Sequence, residues 1–163
     1  MVHETAIPDL VKGAVVGLAA GLIASLAMNQ FQAVVQTLSP PDDDADEPAT
    51  EKAADRVAVA ATGEPVAKSS KPAAGNAVHY AFGALLGVAY GVAAEYRPRI
   101  TMGYGTVFGT GVAAVMDEGA VPAAGLAPAP WQTPAGAHAY ALVSHLIFGA
   151  VTEVSRRLLR SAI

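Results

Sequence analysis

Seven ionisable residues of this 163-residue chain stand inside or at the edges of long uncharged stretches: His79, Glu95, Asp117, Glu118, His138, His145 and Glu153. Asn29 and Gln30 are their neutral companions. Imidazoles and carboxylates of this kind exchange protons, and ionisable groups at membrane depth are costly enough to be functional candidates by default. Other chemistries lack their residues. There is no Cys, so thiolate metal ligation and thiol catalysis are excluded. No His-Glu-x-x-His or paired-carboxylate motif occurs. His138 and His145 lie two helical turns apart, about 10.5 Å, too far to share one ion. Ser144 adjoins His145 in sequence, so their side chains diverge. No catalytic residue, metal or cofactor is therefore assigned. A haem between His79 and His138 or His145 stays open as an alternative.

The elements that must position these groups follow from where charge is missing. No charged residue occurs over 13–41, 72–94, 100–116 or 119–152. Only 15% of the chain is charged, against about 25% in ordinary soluble domains. Mean hydropathy is +0.39. A membrane-spanning helix needs about 20 mostly apolar residues, and the gaps predict four of them: Leu10–Thr37, Ala74–Tyr96, Ile100–Ala120 and Pro134–Arg157. The expected fold is all-α, an integral membrane four-helix bundle. Its expected divisions are 1–38 (N-terminal tail and first helix), 39–73 (an acidic disordered loop) and 74–163 (the remaining helices and a basic tail). The loop carries Pro40-Pro41-Asp42-Asp43-Asp44, lacks aromatics and has few large aliphatics. Such a segment buries too little apolar surface to offset its ordering entropy, although 51–61 has the composition of one weak helix. With a net charge of −4 and no basic patch, nucleic acid is excluded as a partner.

Lipid tails are as apolar as leucine, so helices associate in a bilayer through close backbone approach. Gly13, Gly17 and Gly21, Gly83, Gly87 and Gly91, and Gly105 and Gly109 recur every four residues, each set on one helix face, and are read as packing surfaces. The partner of these faces is another helix of the chain, a second copy or a larger membrane complex. The Lys/Arg distribution places both termini and the 97–99 turn on the cytoplasmic side. Depth along each helix then sorts the polar residues. Asn29, His79, Asp117 or Glu118, and His138 gather near the outer side, with His145 below them. Glu95, Arg97, Glu153, Arg156 and Arg157 form ion pairs at the inner rim. Asp117 and Glu118 point about 100° apart on a helix, so they are not expected to act as one pair. An internal similarity links His79-Tyr80-Ala81-Phe82-Gly83-Ala84 with His145-Leu146-Ile147-Phe148-Gly149-Ala150.

Several blocks resemble one family. They are Met28-Asn29-Gln30-Phe31-Gln32, His79-x-x-Phe82 with Ala89-Tyr90 and Ala94-Glu95, and Asp117-Glu118-x-x-Val121-Pro122-x-x-Gly125-Leu126. Ser144-His145-Leu146, Thr152-Glu153 and Arg156-Arg157 complete the set. In these the chain resembles the YagU-type proteins, small bacterial inner-membrane proteins grouped as a domain of unknown function. The resemblance implies a multi-pass inner-membrane protein with a suggested link to acid survival, and it supplies no catalytic residues. The reading that follows is a non-enzymatic membrane protein whose outward His/carboxylate cluster responds to protons. A small proton- or ion-conducting transporter and a scaffolding subunit of a membrane complex are the alternatives. Reporter fusions at Thr50 and Pro128 are expected to read periplasmic, and one after Ile163 cytoplasmic. A cytoplasmic signal at Thr50 would overturn the orientation.

Overall fold

The computed structural model describes residues 9–39 and 46–162. Among them there are five helices of more than one turn and no strand. Helix α1 (Leu10–Leu38) starts where the Asp9 carboxylate accepts the Lys12 backbone N–H at 3.0 Å. Helix α2 (Ala49–Thr62) follows Pro48 and ends at Gly63, whose φ of +84° suits a residue without a Cβ. Helix α3 (Lys71–Tyr96) carries Pro72 in its first turn and stops at Arg97, the residue before Pro98. Helix α4 (Thr106–Val115) is short and passes into a π turn, Met116–Ala120, and one further helical turn, Val121–Ala123. Helix α5 (Ala135–Ala162) completes the chain. The first of these, α3 with the turn before it (Lys68–Tyr96), and α5 are long and apolar enough to cross a membrane.

This corrects the four-helix expectation in two places. The stretch read as a spanning helix from Ile100 to Ala120 is helical only from Thr106, because Gly103, Tyr104 and Gly105 all take positive φ. The α-helical part is then about 15 Å long, half of a hydrocarbon core. Pro122 explains its other end. Proline has no N–H to return to the Glu118 carbonyl and its ring would strike that oxygen. The ladder widens instead, and the Val121 N–H reaches back five residues to Met116.

The second correction concerns 39–73, expected to be a disordered loop. Its acidic run, Asp42–Asp44, lies outside the described residues, but α2 is a formed helix seated against α3. Gly75 makes room for the Glu51 side chain, and Ala54 is buried. Lys71 Nζ sits 2.6 Å from Glu47 Oε1 and 2.5 Å from Asp55 Oδ2, while the Val66 N–H donates to Asp55 Oδ1 at 3.0 Å. Arg56 donates to the carbonyls of Ala124 and Gly125 beyond the π turn. Ion pairs and capping hold this helix where apolar burial alone would not. The Lys71 ammonium keeps the Asp55 carboxyl below its ordinary value. That attachment is therefore complete near neutral pH and fades as pH falls through the depressed value.

Helices α1 and α3 run antiparallel and interlock through glycine. A Cβ at Gly17 would overlap the Gly87 carbonyl oxygen, one at Gly87 the Gly17 oxygen, and one at Gly21 the Gly83 oxygen. Helices α4 and α5 repeat the arrangement, with Gly105 against the Gly149 carbonyl and Gly109 against that of His145. The two pairs meet where α1 packs on α5. Ala24, Met28 and Phe148 form the buried centre, flanked by Leu86, Phe108 and Val151. Tyr90 stacks on Phe108 at 4.4 Å between centroids, and Phe108 lies 6.2 Å from Phe148. Gly87→Ala is expected to force α1 and α3 apart and cost about 1–3 kcal/mol. Gly111→Ala, where a Cβ meets nothing within 4 Å, is expected to be neutral or to stabilise by up to about 1 kcal/mol. Thermal unfolding in detergent checks the pair, and equal midpoints for the two variants would refute the interlock.

Candidate functional site

The π turn positions Asp117 and Glu118 on α5, and each meets a different histidine. Glu118 Oε1 lies 2.6 Å from His138 Nδ1. The other ring nitrogen of His138, Nε2, lies 3.1 Å from the Pro130 carbonyl oxygen. A carbonyl accepts only, as does an ionised carboxylate, so both contacts are hydrogen bonds only when both ring nitrogens carry protons. The ring thus joins the π turn, the 130–132 turn and the first turn of α5, and it does so fully as an imidazolium. Two turns deeper along α5, Asp117 Oδ2 lies 3.1 Å from His145 Nδ1. The hydrogen on that nitrogen is directed to the Ala141 carbonyl at 3.0 Å. Asp117 Oδ2 is itself buried without a hydrogen bond, and it forms an ion pair with the ring when His145 is protonated.

His79 joins this end of the bundle from α3. Its Nε2 is 3.4 Å from the Ser25 carbonyl oxygen. The Asn29 amide donates to Asn76 Oδ1 at 3.0 Å, one turn of α3 from His79. Of the expected outer cluster, the structure brings together His145 with Asp117, and separately His138 with Glu118, while His79 faces the Ser25 carbonyl. The hydroxyls of Ser25 and Ser144 are fully buried and unpartnered. Among the described residues, no three His, Asp or Glu side chains converge as a metal ion would require. With both nitrogens engaged, His138 offers no free lone pair to a haem iron.

At the opposite end Glu153 is fully buried within the bundle. It accepts from Tyr90 Oη at 3.0 Å, Arg156 Nε at 2.7 Å and Arg157 Nε at 2.5 Å. Arg157 in turn lies over the Tyr104 ring, 4.6 Å from its centroid, which helps hold that residue at its unusual φ of +51°. Glu95 pairs with Arg160 at 2.8 Å and not with Arg97, because α5 runs past the end of α3 and brings Arg160 over it. Arg97 makes no ion pair among the described residues. Tyr104 and Arg160 are not among the candidate residues read from the sequence, and Tyr90 enters there only within the family resemblance. Arg160 carried a signal, lying seven residues beyond Glu153 on α5.

These features define an all-helical protein with three helices fit to cross a membrane and protonatable pairs at one end. A family model described as a protein of unknown function, DUF1440, matches residues 40–154, and the chain belongs to that family. The match takes in α2 to α4, both imidazole–carboxylate pairs and Glu153, and stops short of the three arginines. No curated protein and no solved structure matches the chain.

The two carboxylates at the Glu153 end differ in burial, and so should their variants. Glu153→Gln leaves Arg156, itself largely buried, without its counter-charge, and is expected to cost about 3–5 kcal/mol. Glu95→Gln removes a partner from a more exposed arginine and is expected to cost about 1 kcal/mol or less. Thermal unfolding midpoints of the two variants check the order, and a reversed order would show that Glu153 is not the anchor.

Proposed function

We propose that this protein is a non-enzymatic inner-membrane protein that responds to protons through His138–Glu118 and His145–Asp117. The observation that carries the proposal is the His138 ring between two acceptors. Deprotonating it sets one nitrogen lone pair against an oxygen, so the contacts joining the π turn, the 130–132 turn and α5 depend on proton supply. The resemblance to YagU-type proteins supports an acid-stress setting for this response.

The arginine distribution supports an orientation with the Glu153 end cytoplasmic. Arg97, Arg99, Arg156, Arg157 and Arg160 belong to that end, while 119–134 has no basic residue. Of the basic residues at the other end, Lys71 and Lys52 are paired with acids of their own segment. The ring stack Tyr90–Phe108–Phe148 lies between the level of His145 and that of Glu153. It separates the two polar ends, which favours proton response over proton conduction.

Trp131 is the chain's only tryptophan, 86% exposed and next to the carbonyl that His138 holds. Its emission in detergent-solubilised protein is expected to change between about pH 5 and 8, where imidazole titrates. The ordered turn belongs to the acidic side and is released as pH rises. His138→Gln is expected to flatten the profile and Glu118→Gln to displace it. A flat profile in the wild type, or one that both variants leave unchanged, would defeat the proposal.

A further inference from the structure

Helices α3 and α4 part on one side of the bundle and leave an open apolar groove of about 490 Å³. Leu86 of α3 and Val107, Phe108, Val112 and Val115 of α4 line it, with Arg99 at one end. Val107 and Val115 stay 63% and 66% exposed within the chain. Gly111 lies in the wall, and a Cβ there would meet nothing within 4 Å. A side chain at that position would therefore extend into open space. Arg99 makes no hydrogen bond or ion pair among the described residues.

We propose that this groove holds an acyl chain of an anionic phospholipid, with Arg99 on its phosphate. Three features select that occupant. The lining is apolar along the helix axis and cationic only at its mouth, which matches a lipid's own division into chain and headgroup. Arg99 belongs to the arginine-rich end of the bundle, where an anionic headgroup lies beside the chain's cations. The groove is open along its length, with Val107 and Val115 exposed beside it, which suits a flexible chain laid against the helix. The inference takes membrane insertion as given, and resistance of the protein to carbonate extraction tests that separately.

Native mass spectrometry of the protein released from nanodiscs of equal phosphatidylglycerol and phosphatidylcholine tests the site. Wild type is expected to retain phosphatidylglycerol about fivefold over phosphatidylcholine, the preference that one interfacial arginine supplies. Arg99→Gln is expected to bring that ratio to about one while chain retention persists. Gly111→Leu, which fills the recess without a clash, is expected to lose both lipids at unchanged helicity and unfolding midpoint. Wild-type retention in a folded Gly111→Leu variant would overturn the proposal. So would a lipid preference unmoved by Arg99→Gln, or a disulfide cross-link between two copies through Val115→Cys, which would put protein in the groove. Failure here in a protein that resists carbonate extraction removes the lipid site alone and leaves the proton response standing.

Discussion

Backbone oxygens of one helix lie against glycine Cα atoms of the next, and the rest of the structure depends on that approach. In water, apolar side chains would drive such helices together. Between lipid tails they gain little by leaving one apolar surface for another. What is left is dispersion and weak Cα–H···O contact at short range. The reciprocal overlaps at Gly17 and Gly87 mean that neither helix tolerates a methyl group there. Large side chains are consequently displaced to the flanks of each seam. Met28, Phe108 and Phe148 fill the space between the two pairs, and the polar residues fall at the ends of the seams.

The two helix pairs are built alike. Gly13 and Gly17 face Gly91, with Glu95 one turn beyond it; Gly105 and Gly109 face Gly149, with Glu153 one turn beyond it. Each carboxylate then takes arginine from the last turns of α5. The sequence similarity starting at His79 and His145 aligns the same helices about two turns out of this register. In that alignment the histidines correspond, yet they serve different neighbours: His79 faces the Ser25 carbonyl, and His145 faces Asp117. Gly149 answers to Gly91 in packing and to Gly83 in sequence. The structural equivalence rests on which glycine precedes the glutamate, and that is the element the seam uses.

Much of this could be read from residue types alone. Uncharged runs locate α1, α3 and α5 because transfer of charge into hydrocarbon dominates every other term over 20 residues. Glycine spacing marks the seams because a four-residue step keeps one face on an α-helix. Two features resist such reading. Helix α2 is held by Lys71, Asp55, Glu47 and Arg56, whose partners lie up to 69 residues away. Local composition gives a weak helix over 51–61 but is blind to pairing at that range, which is what seats the helix against α3. Helix α4 fails as a full-length helix through three consecutive positive φ values at 103–105. Tyr104 there is stabilised by Arg157, again a distant residue. Hydropathy cannot register either the turn or the cation over its ring. Burial of Glu153 is illegible for the same reason: its donors come from α3 and α5 together.

The π turn resolves what looked like a conflict between two adjacent acids. On an α-helix Asp117 and Glu118 diverge by about 100°, so one of them should leave the α5 face. Pro122 removes that constraint by forcing the ladder to a five-residue return. A wider turn rotates less per residue, and both carboxylates then reach α5. Their partners are seven residues apart on one face of that helix, so the acids do not compete for one ring. Adjacent carboxylates would repel each other if left unpaired. Two separate imidazoles offset that repulsion most fully when both are protonated, so the geometry that Pro122 imposes supplies the contacts on which the proposed proton response relies. The same proline therefore ends the α-helical ladder and aims the acids, linking a local backbone irregularity to the proposed proton response.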